Sequence, residues 1–463
     1  MDGTGLLPRV SVGSLTHHAA ETMRLASPLA IAQLAQMAMG ITDTVMLGSL
    51  GGDALAAGGL GESLFITVCV VLQGVMTALA VLVSQARGAG RNAQVPALYW
   101  TGMLLALLLV VPGFALFSAA EPLLLAAGEP AALAHDAGRF VGVLRWATPG
   151  ALLGMGLMRA LLPAIDRGGM VLWVSLASAA GNGALCYGFV HGAWGLPALG
   201  LRGPALATVM SLTAGAVVLL LLLHGRSGLR RFVAWRRPRL ALLGAMLRLG
   251  LPVSATFAVE TGLFLGVALL IGRLGPVPLA AQQVALNILS VAFMVPLAIA
   301  QAANVRVGHH VGAGDRPGAR RAGLVAIGLG AAFEGIAVLL LLAAPEAVVG
   351  LYLDPALPGN AEAFAIATRL LSIVVVFQVA DGVQSVAGGA LRGMGDTRVP
   401  FVLAALAYWG VGFPAAWFLT LRAGWGVQGA WWGLAVGLIG VAILLTGRFL
   451  RRTRLMPDYA LQP

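Results

Sequence analysis

Residues 98–120 read LYWTGMLLALLLVVPGFALFSAA and contain no charged side chain. A second stretch, residues 168–190, is equally free of Asp, Glu and Arg. A helix needs roughly 20 apolar residues to cross about 30 Å of hydrocarbon, so each stretch is long enough to span a bilayer. Because the apolar runs are continuous and do not alternate with polar residues, they predict membrane helices and not the strands of a β-barrel.

The composition extends this prediction to the whole chain. Of the 463 residues, 59% are hydrophobic and only 10% are charged, whereas soluble domains typically carry about 25% charged residues. The 63 glycines fit a helical bundle, because small residues let membrane helices approach closely. We therefore predict an all-α polytopic membrane protein with twelve transmembrane helices. The spans expected from the apolar runs are roughly 25–47, 59–83, 97–119, 140–162, 170–191, 203–224, 249–272, 282–305, 322–344, 367–391, 399–420 and 428–449.

The arginines indicate how these helices are oriented. All 29 basic residues are arginine and the net charge is +11, but the arginines lie in short loops between apolar runs and not on one face that could bind nucleic acid. Most of them fall in the tails and in alternate loops, while the opposite loops carry acids such as Asp53, Glu121 and Asp354. The positive-inside rule then predicts a multi-pass protein of the bacterial inner (plasma) membrane with both termini in the cytoplasm. The first residues lack the apolar core of a signal peptide, so we expect no cleavage there.

The two halves of the chain repeat each other. The shift that places Arg24 on Arg248 also places Pro28 on Pro252. It also superimposes Gly48 on Gly272, Gly51 on Gly275, and the Gly-Ala-Gly of residues 88–90 on that of residues 312–314. An ordered set of Pro, Gly and Arg matches without a gap does not arise from shared composition. The chain is therefore expected to contain an internal duplication.

The repeat unit contains six helices, and an even number returns the chain to the same side of the membrane. The halves should therefore have parallel topology, related by an axis along the membrane normal. We predict two six-helix lobes around a central cleft, which alternates its access as one lobe rocks against the other. The expected boundaries are a cytoplasmic tail at 1–24, an N-lobe at 25–224, an Arg-rich linker at 225–248, a C-lobe at 249–450 and a second tail at 451–463.

Acidic residues inside the predicted spans are the main candidates for function. A charged side chain at the centre of a membrane costs at least about 2.5–3.5 kcal/mol on insertion scales. Asp43 lies in span 1, Glu260 in span 7 and Asp381 in span 10. Glu334 lies in span 9 without polar neighbours of its own, and the sequence leaves its role open. Glu62 is close enough to the start of span 2 to be read as interfacial.

Polar residues at helical spacing accompany these acids, as Gln36 accompanies Asp43 and Gln378 accompanies Asp381. Burial disfavours the charged form of a carboxyl group, so a buried acid without a basic partner can hold a proton near neutral pH. Two carboxylates in one pocket repel each other unless a proton or metal cation lies between them. Glu260 and Asp381 belong to the same half, so we predict that they share a site for H⁺ or Na⁺, while Asp43 forms a separate one.

Three further features complete the sequence-based predictions. Pro28 removes a backbone hydrogen bond in span 1 and permits a kink, so it is either a gating residue controlled by Asp43 or a plain helix-entry proline. Gln283 and Asn287 in span 8 are further polar candidates for supporting the site or the substrate. Cys69 and Cys186 fall inside apolar runs and are read as small buried residues.

Three segments carry a resemblance to a known family. They are residues 28–51, PLAIAQLAQMAMGITDTVMLGSLG, residues 281–314, AQQVALNILSVAFMVPLAIAQAANVRVGHHVGAG, and residues 391–400, LRGMGDTRVP. In this order and at this spacing, the chain resembles the multidrug and toxic compound extrusion (MATE) family, and within it the NorM-type bacterial branch. The resemblance covers about residues 24 to 450.

The resemblance implies a V-shaped cleft between the lobes and the export of mostly cationic, amphipathic compounds, driven by inward H⁺ or Na⁺. It implies that Glu260 and Asp381 are the cation-site acids of the C-lobe and that Asp43 is the acid of the N-lobe. Asn182 matches a polar position of the N-lobe. The implied transporter needs no cofactor besides its coupling ion, contacts membrane lipids and is expected to act as a monomer without a nucleic-acid partner.

Two positions depart from the family pattern. Cys186 stands where a second Asn is usual, which weakens the expectation of an Asn pair beside Asp43. Phe377, one turn before Asp381, has no hydroxyl group to donate to a cation. Both departures favour H⁺ over Na⁺.

Two alternatives remain at this level. A flippase for lipid-linked or polysaccharide precursors would line its cleft with several arginines to bind polyanionic headgroups, but only Arg145 lies clearly inside a predicted span. A membrane-embedded enzyme would need a nucleophile with a base or a metal cluster, yet every histidine falls in a tail, a loop or the end of a span. The sequence therefore favours a transporter over an enzyme.

Overall fold

Twelve long apolar helices form the structure, a computed structural model that describes residues 14–357 and 359–455. The six helices of the first half, α1 to α6, are Leu15–Ser49, Gly52–Gly88, Asn92–Ser118, Ala131–Ala164, Gly168–His191 and Arg202–Gly225. The six of the second half, α7 to α12, are Leu240–Gly272, Pro276–Gly312, Arg316–Ala343, Asn360–Gly393, Arg398–Arg422 and Gly426–Leu455. The predicted twelve-helix architecture is confirmed.

The helices extend beyond the predicted spans. Helix α1 begins at Leu15 and not near residue 25, because Ser14 caps it by accepting a hydrogen bond from the backbone of His17. The predicted linker is largely helical, since it contains the short helix Ser227–Val233 and the first two turns of α7. A hydropathy count finds only the part of a helix that crosses hydrocarbon, whereas the helix itself continues into the polar region. The remainder of both predicted tails, residues 1–13 and 456–463, lies outside the described residues.

The two halves repeat their local geometry as well as their sequence. Helices α2 and α8 are both 37 residues long. Each is preceded by a glycine with a positive φ, 115° at Gly51 and 121° at Gly275, a conformation that favours glycine. Each half therefore turns at the same place between its first two helices, as the internal repeat predicted.

The lobes are joined through α1 and α2 of the N-lobe and α7 and α8 of the C-lobe. A Cβ atom at Gly88 would lie 1.9 Å from the backbone oxygen of His309, and one at Gly312 would lie 2.0 Å from that of Gln85. Only residues without a side chain allow this approach. Both glycines belong to the repeated Gly-Ala-Gly motif, so the duplicated sequence supplies the close contact from both sides.

Arg306 crosses the same joint from α8 to α1. Its guanidinium group donates to the Thr22 hydroxyl at 2.6 Å, to the backbone oxygen of His18 and to the His18 ring nitrogen at 3.0 Å. Arg306 is buried, although the sequence places it among the loop arginines. These contacts hold the two lobes together at their arginine-rich ends, which form the base of the V.

Removal of Arg306 should open this joint. Hydrogen bonds to a charged group contribute about 1.5–3 kcal/mol each, so Arg306→Ala should raise the population with a separated joint by on the order of tenfold or more. This larger open population should appear as faster maleimide labelling of a cysteine placed at Ser84, which is fully buried at the joint.

The parent chain gives the background, because its two native cysteines are buried. Arg398→Ala removes an exposed arginine from the same end and should leave labelling unchanged. Equal labelling in both variants would show that Arg306 does not hold the lobes together.

Candidate functional site

The acid of the N-lobe, Asp43, is held by side chains from two other helices. Asp43 is only 4% exposed. The hydroxyl of Thr208 on α6 donates to its Oδ2 at 2.6 Å, and Asn182 on α5 donates to Thr208 at 3.1 Å. Asn182, matched through the family resemblance, therefore reaches the acid partly through Thr208, a residue that sequence reasoning missed because it lies on a distant helix.

Two more residues complete the Asp43 cluster. Cys186, one turn after Asn182, is a free and fully buried cysteine, as predicted, and it lies within electrostatic range of Asp43. Glu62 on α2 is half-buried and lies within electrostatic range of Asp43. Its Oε1 atom lies 2.8 Å from the position of a Cβ built at Gly40, so the carboxyl group rests against α1 one turn before Asp43.

This cluster contains more acceptors than donors. The Oδ1 atoms of Asp43 and Asn182 are both buried without a hydrogen-bond partner. Leaving a buried polar atom unsatisfied costs about 1–3 kcal/mol. A proton on Asp43 or a small cation would remove part of that cost.

The acids of the C-lobe share a single donor. The side-chain amide of Gln384 donates to Glu260 Oε1 at 3.0 Å and to Asp381 Oδ1 at 3.2 Å. Gln384 lies one turn after Asp381 on α10, and α7 brings Glu260 to the same amide. The structure therefore places the two predicted cation-site acids together, with the amide between them.

Tyr408 lies close to both acids and was not identified from the sequence. It is fully buried, its hydroxyl group has no partner, and it lies within electrostatic range of Glu260 and Asp381. Helix α11 widens into a π-helix over Leu406–Gly412, a distortion that is frequent at functional sites. Hydropathy cannot reveal it, because a tyrosine at that position also suits an ordinary membrane helix.

Arginine is near these acids but does not pair with them. Arg392 acts electrostatically on Glu260 and stacks 5.6 Å from the ring centre of Phe257. Within residues 14–357 and 359–455, none of the ion pairs includes Asp43, Glu260, Glu334 or Asp381. None of these four carboxyl groups is therefore neutralised by an arginine of the described residues.

Gln378 is hydrogen-bonded to Glu334 and not to Asp381, the acid with which its position in the sequence grouped it. Its amide donates to Glu334 Oε2 at 2.8 Å, and both side chains are fully buried. Spacing along α10 grouped Gln378 with Asp381, but a residue one turn away on a helix also faces the neighbouring helix. Here that neighbour is α9, which carries Glu334.

The other predicted polar residues lie apart from the acids. Gln36 donates to the sulfur of Met155 and lines a cavity of about 40 Å³ inside the N-lobe. Gln283 is exposed and Asn287 is half-buried, whereas the neighbouring Gln282 is buried with an unpartnered Oε1 atom. Pro28 lies within α1, which continues as a helix through it.

Gln384→Leu tests the shared donor of the C-lobe. The change leaves both carboxyl groups without their common partner, and each lost hydrogen bond to a charged group is worth about 1.5–3 kcal/mol. Any transport activity that uses this pair should fall at least about tenfold, with the same amount of protein in the membrane. Gln94→Leu, at an exposed position in the first turn of α3, is the matched control, and equal activity of the two variants would rule out a role for the bridge.

Thr208→Val tests the N-lobe cluster by replacing the hydroxyl with a methyl group of the same size. Asp43 then loses its 2.6 Å donor, and the free energy of unfolding should fall by about 1–3 kcal/mol. The measurement is the thermal unfolding of the purified protein in detergent. Thr213→Val at an exposed position of the same helix should have no effect, and an unchanged Thr208 variant would contradict the assigned contact.

Comparisons with known proteins agree with this architecture. The sequence profile of the MatE family matches residues 28–187 and 252–418. The chain is 57% identical to a probable multidrug resistance protein NorM of Burkholderia mallei (strain ATCC 23344), covering 95% of this chain and 94% of that one. It is 52% identical to the multidrug resistance protein NorM of Burkholderia vietnamiensis, covering 95% of each.

Solved structures with the same fold are more distant in sequence. A eukaryotic MATE transporter superimposes with a TM-score of 0.86 at 22% identity, covering 95% of this chain and 99% of that one. An outward-facing multidrug resistance MATE family transporter of the MOP superfamily also gives 0.86, at 18% identity, covering 94% and 96%.

Proposed function

The chain belongs to the MATE family of multidrug efflux transporters, and from this premise we propose that it exports cationic, amphipathic organic compounds in exchange for inward-moving H⁺ or Na⁺. It is a transporter and not an enzyme. The main support for ion coupling is the pair of C-lobe acids, Glu260 and Asp381, which share one neutral amide and form no ion pair with an arginine in the part of the chain that the structure describes.

Two carboxylates that share one hydrogen-bond donor cannot both remain charged at low free-energy cost, because their negative charges repel each other. A proton or cation bound between them removes the repulsion, and its departure restores it. The pair titrates as a unit, so the exchanged charge belongs to the site and not to either residue alone. This arrangement supplies what a coupled pump needs, which is an ion bound in one state and released in the other.

Coupling then follows from the two states of the cleft. The described lobes meet at their arginine-rich ends, and we assign those ends to the cytoplasm of the bacterial inner membrane. In this orientation the cleft faces outward, where the acids take up the ion. An ion that favours one state and a drug that favours the other are linked thermodynamically, so the inward movement of one drives the outward movement of the other.

Protons fit the C-lobe site better than sodium. Phe377 is fully buried one turn before Asp381 and packs against the Trp431 ring, with 6.1 Å between the ring centres. Its side chain supplies no oxygen ligand, so a sodium ion would depend on the two carboxylates, Gln384 and the Tyr408 hydroxyl. A proton needs only a carboxyl oxygen.

The flippase alternative has less support. It requires arginines that are free to bind a polyanionic headgroup inside the cleft. Arg159 lies inside α4, but it donates to Gln33 at 2.7 Å. Arg145 donates to Ser118, and Arg306 ties the lobes together. The names of the relatives, which refer to multidrug resistance, also favour drug export.

Transport of a fluorescent organic cation into inverted membrane vesicles tests the proposal, with the pH gradient and the Na⁺ gradient imposed separately. We expect the pH gradient alone to drive transport in the natural chain. Glu260→Gln and Asp381→Asn should each reduce transport to the level of vesicles without the protein, because neither amide can take up and release a proton.

Glu346→Gln, at an exposed acid on the short helix Pro345–Gly350, is the control and should transport normally. Quantification of each variant in the membrane separates loss of coupling from loss of protein. Full transport by both site variants would overturn the assignment of Glu260 and Asp381 as the coupling site. Transport driven only by the Na⁺ gradient would show that sodium, and not the proton, is the coupling ion.

A further inference from the structure

Glu334 is a buried acid for which the transport site described above has no role. It lies on α9 with 0% of its surface exposed. Its Oε2 atom accepts a hydrogen bond of 2.8 Å from the amide of Gln378 on α10, and Gln378 is also 0% exposed. Neither side chain can therefore rely on water to satisfy its remaining atoms.

One oxygen of each side chain is left without a partner. Glu334 Oε1 and Gln378 Oε1 are both buried and accept no hydrogen bond. A carboxylate has no proton to offer, so in its charged form neither orphan oxygen can be satisfied by this pair. A neutral carboxylic acid has one donor and one acceptor, and a carboxamide has the same two groups in the same plane. When Glu334 carries its proton on Oε1, it can donate that proton to Gln378 Oε1, so the two unpartnered oxygens pair with each other.

The charges around Glu334 point to the same state. Within the described ranges, no ion pair includes it. Glu334 lies within electrostatic range of Asp381, the proposed cation-site acid. A second negative charge beside Asp381 would be unfavourable in a buried environment, whereas a protonated Glu334 adds none.

Glu334 also holds the backbone that carries Asp381. A Cβ atom at Gly382 would lie 2.6 Å from Glu334 Cγ, so the glutamate stem packs directly against α10 at the residue after Asp381. The hydrogen bond to Gln378 fixes the same helix one turn before Asp381. Contacts on both sides of Asp381 therefore come from one side chain of α9.

We propose that Glu334 is a neutral carboxylic acid paired with the Gln378 amide, and that this pair is a positioning element that fixes Asp381 for ion binding. Its positioning role rests on the proposed function of Asp381. The proton on Glu334 stays in place through the transport cycle, so Asp381 and Glu260 alone exchange the coupling ion.

The purified natural chain and three variants test this proposal. Glu334→Gln keeps a planar group that donates and accepts in the same places, and the double variant Glu334→Gln with Gln378→Glu exchanges acid and amide. Both should keep the thermal unfolding temperature, the transport rate and its pH profile. Glu334→Leu leaves Gln378 unpartnered, so we expect a lower unfolding temperature, transport reduced by about tenfold and a displaced pH profile in the remaining activity.

Infrared difference spectra give a readout that does not depend on transport. The spectrum of the natural chain minus that of Glu334→Gln should contain the carbonyl band of a protonated carboxylic acid, unchanged between neutral and mildly alkaline pH. A carboxylate band in its place would overturn the proton assignment. Loss of transport in a stably folded Glu334→Gln variant would also overturn it, because it would mean that Glu334 must ionise.

The two proposals fail in different ways. If the natural chain in vesicles shows no ion-driven transport, the proposed coupling fails, while the infrared band and the unfolding temperatures still decide whether Glu334 is neutral. If transport is normal but Glu334→Leu has the same rate and pH profile as the natural chain, the positioning role fails and the coupling proposal stands.

Discussion

Carboxyl groups enclosed by apolar helices without a positive partner are the constraint around which this protein is organised. Removing a charge from water is costly, and the cost is normally met by an arginine or by many hydrogen-bond donors. Here Asp43, Glu260, Asp381 and Glu334 each receive one or two donors from neutral side chains. This support keeps the carboxyl groups in place but does not offset the cost of keeping all of them charged, and this cost is the basis of the proposed protonation of Glu334 and of the proposed ion exchange at Glu260 and Asp381.

The internal repeat gives the two lobes one scaffold with different polar contents. Arg24 and Pro28 of α1 correspond to Arg248 and Pro252 of α7, and in the same register Gln36 corresponds to Glu260. A neutral amide in one lobe thus stands where the other lobe has an acid of the proposed ion site. The N-lobe instead places its acid two turns further along α1, at Asp43, where α5 and α6 supply Asn182 and Thr208. The duplicated helices provide the geometry, while the chemistry of each lobe is set by single side chains.

The lobe joint shows how close packing and charge combine at the arginine-rich end. Glycines at positions 88 and 312 let α2 and α8 touch through their backbones, and Arg306 adds hydrogen bonds to the first turns of α1. These contacts are local to one end of the helices, so they can be broken by a rocking motion without disturbing the interior of either lobe. The acid sites lie within the lobes and keep their donors when the lobes move as rigid bodies.

The sequence by itself determined the class of fold, the twelve helices, the duplication and the acids that lie inside the membrane. These features follow from hydropathy and charge, whose energetic cost depends on each residue and its immediate neighbours in the chain. Family resemblance added the roles of Glu260, Asp381 and Asp43, which stay predictions until transport is measured. Helix ends were less well predicted, as α1 shows by beginning at Leu15, because capping and interfacial residues extend a helix beyond its apolar part.

Only the tertiary structure decided which donor serves which acid. Gln384 bridges to Glu260 across 124 residues of chain, Thr208 reaches Asp43 from α6, and Gln378 turns to Glu334 although it lies one turn from Asp381. Packing also brings Tyr408 and Cys186 from distant parts of the chain to within electrostatic range of the acids. A helix presents polar side chains in several directions, and the packing of helices that are distant in sequence selects the direction that meets a partner.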